Sequence, residues 1–271
     1  IKSLRNSLKG LPVIIVGAGP SLDVTLPFLC QFKGKAVIFA VDSAFLALKR
    51  VGITPDYIVS IDPQMAVLKH LSSLLNESVP MIVTPISCHA LLRKYKGDKI
   101  FLTQEENIYA RRIKGISDLG TTKAGGSVSC FALDAAVQMG CETIVLTGLD
   151  SSFPYLMAYA KVSNVYSAEG YIIRKKLVST QDAFGGKVAT HQNLYEYLRT
   201  IEALIKDSGK RVYNFSPMGA KIEHAENIQP SLLGGILTKK IEKKNIHQFL
   251  KHKRNNQLYE EIKKQAMPVN C

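Results

Sequence analysis

Three aspartates in this chain each follow an apolar run. Asp42 follows Ala36-Val37-Ile38-Phe39-Ala40-Val41, Asp62 follows Tyr57-Ile58-Val59-Ser60-Ile61, and Asp150 follows Thr143-Ile144-Val145-Leu146-Thr147-Gly148-Leu149. A carboxylate so placed bonds sugar hydroxyls, ligates a divalent cation or caps a helix. A fourth run, Val13-Ile14-Ile15-Val16, leads instead into Gly17-Ala18-Gly19-Pro20-Ser21-Leu22. Gly17 and Gly19 permit a tight turn and close approach of a ligand. Pro20 fits the first turn of a helix, and Ser21 adds a hydroxyl at a helix N-terminus whose N–H groups and dipole favour an anion. Strand, glycine turn and helix start together make a phosphate seat. Leu22 stands where the dinucleotide fingerprint needs a small residue, and no Gly-Lys-Ser/Thr follows, so neither that fingerprint nor a P-loop is complete.

Two further stretches carry chemistry. Gly125-Gly126-Ser127-Val128 opens a small-residue helix and offers a second helix N-terminus with room for backbone approach. His191, beside the expected N-cap Thr190, heads a helix marked by Leu194, Tyr197, Leu198, Ile201, Leu204 and Ile205, and its imidazole titrates in the range useful for proton transfer.

The elements that must position these residues form an α/β pattern. The apolar runs read as buried parallel strands, joined by Met81–Thr84, Ile100–Thr103 and Arg211–Ser216, with helices expected over 21–32, 43–51 and 87–95. In an open parallel sheet the strand ends share one edge, where ligands bind. The expected fold is therefore a Rossmann-like, mostly parallel sheet over residues 1–225, with a lid insertion at about 151–190 and a basic helical C-terminal tail over 226–271. Residues 1–12 read as a lead-in helix or linker. The lid has little periodicity and holds Phe153, Tyr155, Tyr159, Tyr166 and Tyr171 with Lys161, Arg174, Lys175 and Lys176.

Composition narrows the class. A chain of 271 residues with 46% hydrophobic content holds one large α/β domain, and no apolar run reaches membrane-span length. There is no secretory leader and no initiator Met, so a fragment or trimmed chain is expected. Five cysteines without a Cys-x-x-Cys pair read as reduced, mostly buried thiols of a cytoplasmic protein, and no zinc-like ligand spacing occurs. The formal charge of +13 is concentrated between Lys239 and Lys264. That tail suits an anionic membrane surface or a partner, whereas no nucleic-acid-binding motif accompanies it.

Gly17-Ala18-Gly19-Pro20-Ser21-Leu22, Tyr57-Ile58-Val59-Ser60-Ile61-Asp62, Gly125-Gly126-Ser127-Val128 and Gly148-Leu149-Asp150 occur in order and at separations that resemble the central domain of the motility accessory factor (Maf) glycosyltransferases. The resemblance covers about residues 11–225. It implies transfer of a nonulosonic acid (pseudaminic, legionaminic or sialic type) from a CMP-activated donor to Ser or Thr of a protein acceptor such as flagellin, without a required cofactor. A more distant likeness to bacterial sialyltransferases with a Gly-x-Gly-Pro-Ser loop implies that Gly17, Ala18, Gly19, Pro20 and Ser21 meet the CMP phosphate. It further implies that Asp42 and Asp62 meet ribose or base, that Gly126, Ser127, Asp150 and Tyr155 complete the donor site, and that His191 is the general base. Tyr155 and Tyr159 depart from the spacing of the tyrosines that steady the leaving phosphate there, and Lys161 or Arg174 is a substitute. The same superfamily includes proteins similar to archaeal 6-hydroxymethylpterin diphosphokinase. That alternative implies ATP and Mg²⁺, with Asp42, Asp62 and Asp150 as metal ligands. A non-catalytic nucleotide-binding assembly module, and a homo-oligomer, remain open.

Overall fold

The order of the strands decides where the acids meet. In the computed structural model, residues 4–65, 68, 71–104, 120–123, 125–163 and 176–242 are described. The main sheet contains β1 (Pro12–Val16), β2 (Val37–Val41), β3 (Tyr57–Ser60), β4 (Met81–Val83), β5 (Lys99–Phe101), β8 (Thr143–Thr147), β11 (Arg211–Asn214) and β12 (Glu226–Asn227). Its order is β12-β11-β8-β1-β2-β3-β4-β5, and every pairing is parallel. The chain moves outward from β1 through β2 to β5, then returns to β1's other side with β8. The topological switch point thus lies between β1 and β8, and all strand C-termini share one edge. β6 (Thr103–Gln104) and β7 (Thr121–Thr122) form a separate short pair.

Alternate residues of the strands face opposite layers, as a sheet buried on both sides requires. Val13, Ile15, Val37, Phe39, Tyr57 and Val59 pack under α4 (Val128–Gln138) and α5 (Gln192–Ser208). Ile14, Val16, Ile38, Ala40 and Val145 pack under α1 (Leu22–Leu29), α2 (Phe45–Arg50) and α6 (Pro230–Ile236). Ile58, Met81 and Val83 carry α3 (His89–Lys94) on that second side.

Three expectations change. Residues 4–11 are no linker: Leu4 and Leu8 are fully buried in the α4/α5 layer, and Leu8 N–H donates to Met139 C=O at 2.7 Å. The lid region contains an antiparallel hairpin, β9 (Leu177–Gln181) with β10 (Lys187–His191). It is fastened to the body, because Phe153 N–H donates to Ala189 C=O at 2.7 Å and Lys221 N–H to Gln181 C=O at 2.9 Å. Residue 225 is no structural boundary: β12 extends the sheet, and Leu233 and Leu237 are buried in its second layer. The described cysteines are mostly buried, as expected: Cys88, Cys130 and Cys141 are buried free thiols, and Cys30 is exposed. Tyr166, Tyr171, Arg174, Lys175, most of 105–120 and the chain from 243 onward lie outside the described residues.

Candidate active site

At the switch point two turns meet through their glycines. Gly17 N–H donates to Thr147 C=O and Gly19 N–H to Gly148 C=O, both at 2.8 Å. A Cβ on Gly17 would collide with Gly148 C=O, and one on Gly148 with Gly17 C=O; Gly148 also has φ +67°. The glycines therefore serve turn-to-turn contact, and their N–H groups are committed to protein carbonyls rather than to a ligand phosphate, as the glycine loop alone had implied.

At the start of α1, Ser21 N–H is taken by Asp150. The Asp150 Oδ2 accepts from Ser21 N–H at 2.9 Å. Asp150 is 2% exposed; its Oδ1 has no hydrogen-bond partner among the described residues, and the Ser21 hydroxyl, near enough to favour the charged carboxylate, makes no well-aligned bond to it. Burial raises the Asp150 pKa to about 6, against the Ser21 N–H bond that favours its charge. The Asp150 backbone is equally fixed: its C=O accepts from Ala220 N–H at 2.8 Å and from the Ser152 hydroxyl at 2.9 Å. The Thr25 hydroxyl meets that of Thr147 at 2.7 Å, tying α1 to β8 just beneath the seat.

The other acids stand farther along the same edge. Half-buried Asp42 accepts from Ser43 N–H at 2.7 Å and from the Ser60 hydroxyl at 2.6 Å, so the ends of β2 and β3 are joined by a carboxylate–hydroxyl pair. β3 stops at Ser60, and Asp62 lies two residues beyond it, accepting from Gln64 N–H at 2.8 Å. Among the described residues, no three His, Cys, Asp or Glu side chains come together to hold a metal ion, so Asp42, Asp62 and Asp150 do not form one ligand set.

Ser127 is the N-cap of α4, its hydroxyl accepting from Ser129 N–H at 3.3 Å. Gly126, at φ +73°, lies against the Tyr197 ring of α5, where a Cβ would be 2.6 Å from a ring carbon. The N-cap of α5 is His191 rather than Thr190: Nδ1 accepts from Leu194 N–H at 3.3 Å. Neutral His191 therefore carries its proton on Nε2, and the basic nitrogen expected to act as general base is engaged by the helix. His191 is buried and its ring lies 5.4 Å from that of Phe153.

Phe153 belongs to a strap, residues 151–163, that leaves Asp150 and crosses back to α1. Ala160 N–H donates to Ala18 C=O at 2.8 Å, while Lys161 and Val162 N–H groups donate to the Asp23 carboxylate at 2.8 and 3.0 Å. Ser151, Tyr155 and Leu156 have φ of +49°, +52° and +58°, a costly conformation for side chains of these types. Tyr155 projects into solvent, 81% exposed, away from the buried seat. Asp23, Ser60 and Gly219 escaped the sequence reading. An acid in a helix's first turn usually signals only the dipole, a strand-end serine is too common to stand out, and Gly219 matters because a Cβ there would press on Asp150.

A family model described as 6-hydroxymethylpterin diphosphokinase MptE-like matches residues 1–155, a span that holds Gly17 to Ser21, Asp42, Asp62, Gly126, Ser127, Asp150 and Tyr155 but not His191. An uncharacterized protein of Treponema pallidum (strain Nichols) is 43% identical over 51 residues, 19% of this chain and 24% of the relative. The structure of a Maf glycosyltransferase from Magnetospirillum magneticum AMB-1 superposes on 97% of this chain and 40% of its own, with a TM-score of 0.68 and 16% identity. The chain thus spans less than half the length of either protein, and the structural likeness is one of fold. None of the described helices is long and apolar enough to cross a membrane. With residues 1–155 of its 271 matched, the chain belongs to the MptE-like family, on a Rossmann-like fold shared with a Maf glycosyltransferase.

Proposed function

We propose that this domain is a glycosyltransferase that binds a CMP-activated nonulosonic acid and passes the sugar to a Ser or Thr hydroxyl of a protein acceptor such as flagellin. The observation that carries the reading is the β1/β8 switch point, where the N-terminus of α1 and Asp150 meet at the strand-end edge. The glycosyltransferase that shares this fold lends it support. The donor phosphate would lie at Ser21, and the ribose near the Asp42–Ser60 pair. The acceptor hydroxyl oxygen attacks the anomeric carbon as the bond from that carbon to the CMP phosphate breaks, and the hydroxyl proton passes to a phosphate oxygen of the departing CMP. His191, protonated at Nε2, suits hydrogen bonding to the departing phosphate better than base action. No metal is required on this reading.

The family's own description favours a second reading, a Mg²⁺-dependent pterin diphosphokinase. Mg²⁺ takes one or two carboxylates and completes its shell with phosphate and water. Asp42 at the end of β2 would supply one such ligand.

Titration calorimetry with CMP, CDP, UDP and ATP, each with and without Mg²⁺, tests both. CMP binding without Mg²⁺, with CMP-sialic acid turnover that persists in EDTA, is the expected result. Binding of ATP alone, and only with Mg²⁺, overturns it in favour of the kinase. A folded chain that binds none of the four favours a pure interaction role.

A further inference from the structure

The outer edge of β9 is paired at one end and open at the other. Asp182 N–H donates to Gly186 C=O at 3.0 Å, so even-numbered residues of β9 turn their backbone groups toward β10. Odd-numbered residues turn theirs outward: Ala183 N–H donates to Gly219 C=O at 3.1 Å, and Gln181 C=O accepts from Lys221 N–H at 2.9 Å. This outer pairing, antiparallel and centred on Asp182 and Ala220, stops at Lys221. Ile222 then turns into the core, and Glu223 N–H is taken by the Glu202 carboxylate at 2.9 Å. The outward N–H and C=O groups of Ser179 and Leu177 are left without a partner among the described residues. We propose that this open edge receives an extended segment of the protein acceptor, laid down as a third strand beside residues 177–179. The proposal rests on the transfer reading above.

Three observations carry it. The edge lacks the usual protection: Leu177-Val178-Ser179-Thr180-Gln181 holds no charged residue and no proline, and Leu177, Val178 and Ser179 are exposed. A two-stranded ribbon with so bare an edge is a template for another strand. The opposite side of the hairpin is closed, because Ala189 C=O accepts from Phe153 N–H at 2.7 Å, so an incoming strand is directed to β9. The third observation is place. Leu177 is paired with His191, the N-cap of α5, and paired residues share one face of a hairpin. With strands about 4.8 Å apart, a residue set opposite Leu177 stands about 10 Å from the His191 backbone, on the same face. A segment that continues the line of residues 219–221 therefore runs toward the His191 end of the hairpin.

The size of the opening selects the occupant. Two outward-facing residues offer only their own N–H and C=O groups, well short of the area that holds a stable dimer. That little pairing suits a substrate that must leave after transfer. Main-chain bonds are indifferent to most side chains, so the edge selects for backbone shape. Extended or locally unfolded segments that carry a Ser or Thr are accepted, and helical ones are not.

The test uses an acetylated, amidated peptide in which Thr and Val alternate around one Ser, with Glu at both ends for solubility. Amide hydrogen exchange of the full chain is followed by NMR with and without the peptide. The Leu177 and Ser179 amides should exchange freely in the chain alone and at least about fivefold more slowly at peptide saturation. Ser179→Pro removes an outward donor and spares the β9–β10 ladder, so it should weaken peptide binding about tenfold and raise the peptide KM for transfer from CMP-sialic acid. A peptide that binds without slowing those two amides, or a chain that binds CMP but not the peptide, overturns this inference alone. Edge binding by a chain that neither binds CMP nor transfers sialic acid overturns the transfer reading, and the acceptor role with it. Dimerisation that slows the same amides without peptide makes a second copy the occupant and overturns the proposal. The exchange measurement on the wild type stands even if the variant does not fold.

Discussion

Gly17 and Gly148 stand back to back at the ends of two neighbouring parallel strands, each leaving no space for a Cβ on the other. The contact lets the α1 start and the Asp150 turn share one small volume. Gly148→Ala therefore meets two penalties, a positive φ and a backbone clash. It should lower unfolding free energy by about 2–4 kcal/mol in urea titration. A change below about 0.5 kcal/mol would show that the turns part easily.

Asp150 makes the pH dependence of stability unusual in sign. Its pKa is raised on folding from 3.8 to about 6, so the folded state holds the proton more tightly than the unfolded one. Its contribution is greatest below about pH 4 and declines as pH rises to about 6. Asp150→Asn keeps an acceptor for Ser21 N–H and carries no charge. It should be more stable than wild type at pH 7.5, by on the order of 1–3 kcal/mol, with the difference vanishing near pH 4. Equal stability of the two proteins across that range would refute this.

His191 has a structural duty that any test of catalysis must separate. His191→Ala removes the Nδ1 cap of α5 and should destabilise by about 1 kcal/mol. Asn at 191 restores a cap acceptor without an imidazole. If His191 also serves the reaction, His191→Asn recovers the melting temperature but not the transfer rate. Recovery of both would leave the residue a cap only.

The N-terminal segment offers a plain packing test. Leu8 is fully buried between α4 and the sheet, so Leu8→Ala should cost about 2–4 kcal/mol by chemical denaturation. A cost near zero would return residues 4–11 to the role of a linker.

Much of this edge was legible before the fold was known. β-branched runs that end in glycine or aspartate mark buried parallel strands, and parallel strands put their ends together. What could not be read was partnership. Ser21 and Asp150 are 129 residues apart and meet only because β8 returns beside β1. The glycine loop looked like a cradle for phosphate because its N–H groups have no partner within their own segment; the partners come from Thr147 and Gly148. Leu4 and Leu8 were masked by the polar and basic residues between them. The β9–β10 hairpin lacks a buried face along most of β9, so no apolar alternation announced it. Tyr155 stands close to Asp150 in sequence, but the left-handed backbone at 155 and 156 turns the chain outward there.

The strap has a mechanical meaning for the mouth of the crevice. It is moored at Ser151 to the hairpin through the Thr190 hydroxyl, and at 160–162 to the first turn of α1. Its two ends share the stiffness of the sheet, and freedom to bend is left to the span between, where Tyr155, Leu156 and Tyr159 face water. An acceptor chain arriving there would press on aromatic rings carried by a short bridge with firm abutments. Asp23, by gripping one abutment, ties the first turn of α1 to the rim of the strand-end edge.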